Sequence, residues 1–312
     1  MINALGLSFC FCLRIGFLCY ALTVVSLFLL IGMEDIDKDR LITLVEKMPV
    51  FPKSVQKVVQ LASNIDASPK EIIQVIECDP ILTVKILKVI NSAIYAFPTK
   101  INSVQRAVVL IGLNTIKNLA LSIAGMGMLK SLGKSNFDIN DFLLHAMTTA
   151  AISRRLAERL SLPALECSDC FVAGLLHDFG KAVFAEYLPE PFELALRKSR
   201  ESNISLHQAE LEFIGFNHAQ AGQILATKWG LSEVLVNAIA YHHDYPSNNV
   251  AECIYAANQI SKQLMFGNAG NPVTDPFPEA IVNKFGLPLT ELIEGMGDLS
   301  LVKLESLAFI NQ

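Results

Sequence analysis

The sequence predicts an all-α fold, and three observations carry that expectation. Nearly every long segment after residue 36 repeats its apolar residues at helical spacing. No two segments alternate as a strand pair would. The breaks between segments hold helix-capping and helix-stopping residues.

"SPKEIIQVIECDP" opens with Ser68 as a cap, Pro69 at the first helical position and Glu71 completing a capping box. Asp79-Pro80 ends that helix and starts the next, "ILTVKILKVINSAIY". "INSVQRAVVLIGLNTIKNLALSIAGMGMLK" reads as two helices broken near Gly112-Leu113-Asn114. Gly, Ser and Asn cluster at 131–140, which marks a linker. A long amphipathic helix is expected from about Asp141 to Leu160, then a helix over 169–188 and a connector over 189–203. Further helices are expected at 205–214, from Asn217-His218 to Trp229-Gly230, at 232–243 and around 250–264. The tail, 268–312, is first broken by Pro and Gly and then weakly helical.

The first 32 residues differ from the rest. Arg14 is their one charged side chain, and 15–33 (IGFLCYALTVVSLFLLIGM) has none. That run is long enough to span a bilayer. It also reads as upstream sequence translated in error, with Met33 the true start. A signal peptide is the weaker reading, because no A-x-A-like site follows the apolar run. If the run spans, Lys38, Arg40 and Lys47 favour a cytoplasmic body anchored at the inner membrane through residues 15–32.

The net charge is −5, and −6 once Arg14 is left out, with no block of Lys or Arg. Sequence-independent nucleic-acid binding needs a basic footprint and is not expected. Three of the seven Cys lie in the leader. The other four, Cys78, Cys167, Cys170 and Cys253, make no disulfide framework, and the body reads as reduced and intracellular. Cys167 and Cys170 form a lone C-x-x-C without strand–helix redox context. They read as small residues at a helix entry rather than a zinc or redox half-site.

All six His follow residue 144: His145, His177, His207, His218, His242 and His243. The sharpest feature is His177-Asp178 inside the apolar run "FVAGLLHDFGKAVF", with Lys181 three residues on. Such a pair costs free energy in an apolar setting unless it is hydrogen-bonded or holds a metal. A hydrolytic metal site needs several neutral imidazoles and a carboxylate around Fe, Mn or Mg. Each histidine taken singly is more often a packing or capping residue, and spacing alone leaves their convergence open.

"MPVFPKSVQKVVQLA", "IIQVIECDPILTVKILKVINSAIY", "INSVQRAVVLIGLNTIKNLAL", "FVAGLLHDFGK", "FNHAQAGQILATKWGL" and "AIAYHH" occur in that order. Together they resemble the HDOD branch of the HD superfamily of metal-dependent phosphohydrolases, which is related to the HD-GYP phosphodiesterases. The resemblance covers about residues 41–265. It implies a helical subdomain at 33–135 packed on an HD-like helical bundle at 136–266, followed by a tail at 267–312.

The resemblance also implies one or two divalent ions (Fe, Mn or Mg). Matched residue by residue, the ligands fall on His145, His177 and Asp178, with His218, His242 and His243 added from the HD-GYP pattern. Lys181 matches a lysine that faces substrate phosphate. A late Asp is expected where "YAANQI" places Asn258, and the Gly-Tyr-Pro signature is reduced to Tyr-Pro. Asn brings a carbonyl dipole where the family brings a charge. At an effective dielectric near ~20 that difference is worth on the order of a few kcal/mol.

The expected function is therefore that of a bacterial-type signalling or regulatory module, non-catalytic and acting through contacts with signalling proteins. The alternative is a metal-dependent phosphohydrolase acting on a nucleotide or cyclic dinucleotide. A third reading, a membrane-anchored sensor, depends on residues 1–32.

Overall fold

The computed structural model describes residues 39–49, 51–62, 68–92, 95, 97–129, 138–244, 248–270 and 273–310. They fall in two units divided after Glu46. The first holds a helix at 39–46 (α1). Everything below concerns the second, Lys47–Gln312.

That unit is all-α, with no strand among the described residues. Its first part runs α2 (Lys53–Ala62), α3 (Pro69–Glu77), α4 (Pro80–Ile90), α5 (Val104–Ile111) and α6 (Leu113–Leu129). The second part runs α7 (Ile139–Arg159), α8 (Ala164–Leu176), α9 (Gly180–Tyr187), α10 (Pro189–Ser202), α11 (Leu206–Phe213), α12 (His218–Lys228), α13 (Glu233–Ala240) and α14 (Asn249–Gln263). The tail holds α15 (Glu279–Phe285), α16 (Leu289–Gly295) and α17 (Ser300–Ile310).

Local chemistry explains the well-marked ends. Ser68 and Glu71 form the expected capping box on α3. Asp79 caps α4, with its side chain accepting from the Leu82 N–H, and Pro80 takes the first turn. Gly112, at φ +81°, lets α5 and α6 meet at a 118° bend. Asp138 accepts from the backbone N–H groups of Asn140 and Asp141 and so starts α7. Most of the expected linker, 130–137, lies outside the described residues, as does the apolar leader with its expected span. No single described helix is long and apolar enough to cross a membrane.

Three expectations need correction. The helix expected over 169–188 is two helices, α8 starting earlier at Ala164 and α9 starting at Gly180, so His177-Asp178-Phe179 is a turn between them. The connector expected over 189–203 is the helix α10. Pro189 opens it, Phe192, Ala195, Leu196 and Ser199 form its buried stripe, and Asn203 ends it in the left-handed region. The helix expected over 232–243 stops at Ala240, and His242 and His243 stand in the following turn.

Three helices make the centre. α7 and α8 pack along one another, and α14 packs against both. Every residue of α14 from Val250 to Lys262 is buried, so this helix is core on all sides, its polar members included. The α7–α8 approach is close at Gly174, where an added Cβ would lie 2.9 Å from the Ala150 Cα. Cys167 and Cys170 are buried on α8, and Cys170 is hydrogen-bonded to Cys253 of α14. That hydrogen bond and burial push the Cys170 thiol well above its usual range, which suits packing rather than reactivity.

The closest approach lies beside the His-Asp turn. A methyl on Gly180 would overlap the carbonyl oxygen of His218 and sit 2.8 Å from the Gly222 nitrogen. Both neighbours are backbone, so no rotamer relieves the clash. Gly180→Ala is expected to cost about 3 kcal/mol or more, read as a lower urea midpoint. Gly127→Ala is the control, because a Cβ there meets nothing within 4 Å. It is expected to be neutral or stabilising by up to ~1 kcal/mol.

Candidate metal centre

Four separate pieces of backbone converge on the Asp178 carboxylate. His145 comes from the second turn of α7. His177 and Asp178 come from the α8–α9 turn, and Lys181 from the start of α9. His218 is the first residue of α12, held there by the capping box of Asn217 and Gln220. His242 and His243 come from the turn after α13.

The carboxylate faces two groups of imidazoles. Its Oδ2 lies 3.3 Å from His177 Nε2 and 3.7 Å from His145 Nε2. Its Oδ1 lies 3.1 Å from His218 Nε2 and 3.7 Å from His242 Nε2. Lys181 Nζ donates to Oδ2 at 2.7 Å. His145, His177, Asp178, Lys181, His218 and His242 are each no more than 2% exposed. Two sets of candidate ligand atoms result, His145–His177–Asp178 and His218–His242–His243, each lying within 4.8 Å of one another.

Hydrogen bonds to the other ring nitrogens fix how these imidazoles point. The Nδ1–H of His177 donates to the Gly174 carbonyl at 2.7 Å, and that of His242 to the Ile239 carbonyl at 2.6 Å. Those partners turn Nε2 of both rings toward the cluster. Nε2 of His145, His177 and His242 makes no hydrogen bond, although each is buried. Unpaired buried acceptors in one place are what a divalent ion satisfies, so the residues present fit a metal.

His218 is different. Its backbone N–H and its Nδ1–H both donate to Glu210 Oε2, at 2.8 Å and 2.6 Å. Its Nε2 lies 2.8 Å from His243 Nε2. Burial works to lower the His218 pKa, but Glu210 and Asp178 outweigh it and raise it above the usual value. Burial likewise works to raise Asp178, but His177 and Lys181 hold it well below the carboxylate range. Burial pushes His145, His242 and His243 well below the histidine range, so they are neutral. Asp178 thus faces His177 and Lys181, and His218 faces Glu210 and Asp178, so opposite charges meet inside the cluster.

Asn258 is buried on α14, and its Oδ1 makes no hydrogen bond. Sequence reasoning assigned no site role to three members of this region, although it counted His207 among the clustered histidines. Glu210 shares the buried face of α11 with Leu206 and Ala209, and an acid on a buried stripe was the available signal. Lys262 is buried one turn beyond Asn258. Desolvation and then Lys181 push it down to about 8. His207 stacks on His243 at 4.2 Å between ring centroids, and burial lowers it to about 4.

Known proteins share this arrangement at the level of fold. The chain is similar to an HDOD domain protein of unknown function from Geobacter sulfurreducens (TM-score 0.63, 21% identity, 88% of this chain and 98% of that one). It is similar to a candidate phosphohydrolase from Shewanella amazonensis (TM-score 0.64, 21% identity, 86% and 97%). It is also similar to a candidate signal-transduction protein from Marinobacter aquaeolei (TM-score 0.65, 23% identity, 88% and 66%). By sequence it is 27% identical over 202 residues to an uncharacterized protein of Treponema pallidum, covering 65% of this chain and 39% of that protein. It is 30% identical over 137 residues to ribonuclease Y of Aquifex aeolicus, covering 43% of this chain and 19% of that enzyme. The chain thus spans well under half the length of these curated relatives. The HDOD domain model matches residues 48–245, most of the chain, and takes in every element that carries the Asp178 cluster except α14. The chain belongs to the HDOD family.

Proposed function

We propose that this chain is a signalling or regulatory module that acts through contacts with signalling proteins rather than by turnover. The observation that carries the reading is the closed Asp178–Lys181 pair. The one carboxylate among the two ligand sets is already paired with the chain's own ammonium at 2.7 Å, and both groups are buried. Residue 258 adds no second carboxylate to draw a cation past Lys181.

The module would hold a divalent ion in its ligand-competent state. His145, His177 and Asp178 would take one ion, and His218, His242 and His243 a second. An imidazole-rich set favours Fe or Mn over Mg. When bound, such an ion supplies Lewis acidity and lowers the pKa of a coordinated water. The protein's own part is to fix the free Nε2 atoms, exclude bulk water and keep His218 oriented through Glu210.

A second reading, hydrolysis of a nucleotide or cyclic dinucleotide, is favoured by one observation. Two buried ammonium groups, Lys181 and Lys262, lie within electrostatic reach of each other and of Asp178. Together they suit a phosphate. The test is to purify the full chain, measure its Fe, Mn and Zn content, and assay phosphodiester hydrolysis with and without added metal. Metal binding without turnover is the expected result. Turnover that His177→Ala abolishes would sink the regulatory reading. An Asn258→Asp variant that also fails to turn over would sink the enzymatic one.

A further inference from the structure

Phe179 sits between Asp178 and Gly180, at the end of the His-Asp turn. It meets Trp229 edge-on, with centroids 6.0 Å apart and planes at 84°. Trp229 in turn packs on Phe51 at 4.8 Å. Phe51 belongs to the segment leading into α2. The same segment is held at two other points, where Lys228 donates to the Met48 carbonyl at 3.3 Å and Tyr187 to the Lys47 carbonyl at 2.7 Å. α6 closes the joint from another side. A Cβ at Gly125 would lie 2.9 Å from Phe179 Cε2 and 3.4 Å from the Trp229 ring, so no larger residue fits without moving them.

We propose that Phe179 and Trp229 form an aromatic joint that carries the state of the Asp178 centre to the segment 47–52 and to α6. The inference rests on the regulatory reading above and names how the module would respond. The turn is closed by the Asp178–Lys181 ion pair and by the Lys181 N–H donating to the Asp178 carbonyl. A cation entering the cluster competes with Lys181 for the same carboxylate oxygen. It therefore binds one state of the turn better than the other, which is the differential affinity a switch requires. Phe179 has no room to absorb a shift of its own backbone, because Phe142, Trp229 and Gly125 surround it. Close-packed cores repack between discrete arrangements rather than deform smoothly, so the displacement passes to Trp229 and Phe51.

The chain has a single tryptophan, so emission excited at the red edge, where its six tyrosines do not absorb, reports on this joint. The experiment titrates the full, metal-stripped chain with Zn²⁺, a closed-shell ion that does not quench by paramagnetism. Binding is followed by calorimetry, Trp229 by emission and segment 47–52 by amide hydrogen exchange. The expected result is an emission shift that saturates with the calorimetric isotherm and faster exchange in 47–52. In Phe179→Leu, Zn²⁺ binding should persist while both responses are lost. Binding that leaves emission and exchange unchanged in the wild type overturns the proposal, as does a Phe179→Leu chain that responds as the wild type does. If no Zn²⁺ binds, the metal reading fails by itself, and the joint is then tested by Lys181→Met, which frees Asp178 without a metal. An unshifted emission there overturns the joint. Should far-UV circular dichroism show that Lys181→Met does not fold, Asp178→Asn/Lys181→Met, which opens the same ion pair without leaving a buried charge, gives the readout.

Discussion

Acidification from pH 7.5 to pH 5.5 in the presence of EDTA is expected to strip this protein of a large part of its stability. His145 and His242 are buried and His243 is half-buried, and desolvation pushes all three well below the usual 6.5, so they are neutral. In the unfolded chain each binds a proton below about pH 6.5. The unfolded state then binds more protons than the folded one, and stability falls with pH. At pH 5.5 the loss is about 1.4 kcal/mol for each ring and roughly 4 kcal/mol for the three. His218 has the opposite sign. Its raised pKa gives stability that is complete below pH 6.5 and fades as pH rises through its folded value. It therefore offsets part of the loss near neutrality and adds nothing further below it. Asp178, held low, matters in a separate window, as pH falls below 3.8. Domains of this kind are stable by about 5–15 kcal/mol in total. Urea midpoints measured at the two pH values check the sign, and a midpoint that does not move would mean that these rings are not buried neutral.

How much of this was legible in the sequence depends on whether the signal was local. The cap at Ser68, the Asp79-Pro80 stop and the Asn217 start are written within four residues each, and the structure places helix ends there. The break at His177-Asp178-Phe179 was not legible. Apolar periodicity continues through it, and the residue that permits it, Gly180, is needed for the backbone of His218, thirty-eight positions away. α10 was hidden by its composition. Its charged residues suggest a solvated connector, while its buried stripe is only four residues deep. The centre divides in the same way. Histidines and an adjacent Asp stand out by residue type, and their order along the chain matches a family pattern. Glu210 and Lys262 do not stand out, because each matters through helices it does not belong to. Glu210 reaches His218 across the α11–α12 turn, and Lys262 faces Lys181 from α14.

Removing the Asp178 charge alone is the mutation expected to cost most at the centre. Asp178→Asn keeps the shape but leaves the Lys181 ammonium buried and unpaired. It also strips the partner that helps hold His218 protonated. Breaking a buried pair in this way costs about 3–5 kcal/mol. Asp178→Asn/Lys181→Met removes both charges, and it should recover most of that loss, because a neutral core replaces an uncompensated one. The coupling energy between the two sites is expected to be at least ~2 kcal/mol, measured by a double-mutant cycle in urea with EDTA present. Costs that simply add would show that Lys181 is not the internal counter-ion of Asp178, and the argument from the closed ion pair would fall with it. The same variants separate stability from ligation. Asp178→Asn/Lys181→Met should fold yet bind divalent metal more weakly than the wild type, because the one carboxylate among the candidate ligands is gone. Lys181→Met alone should bind it more tightly, because the competitor for that carboxylate has been removed.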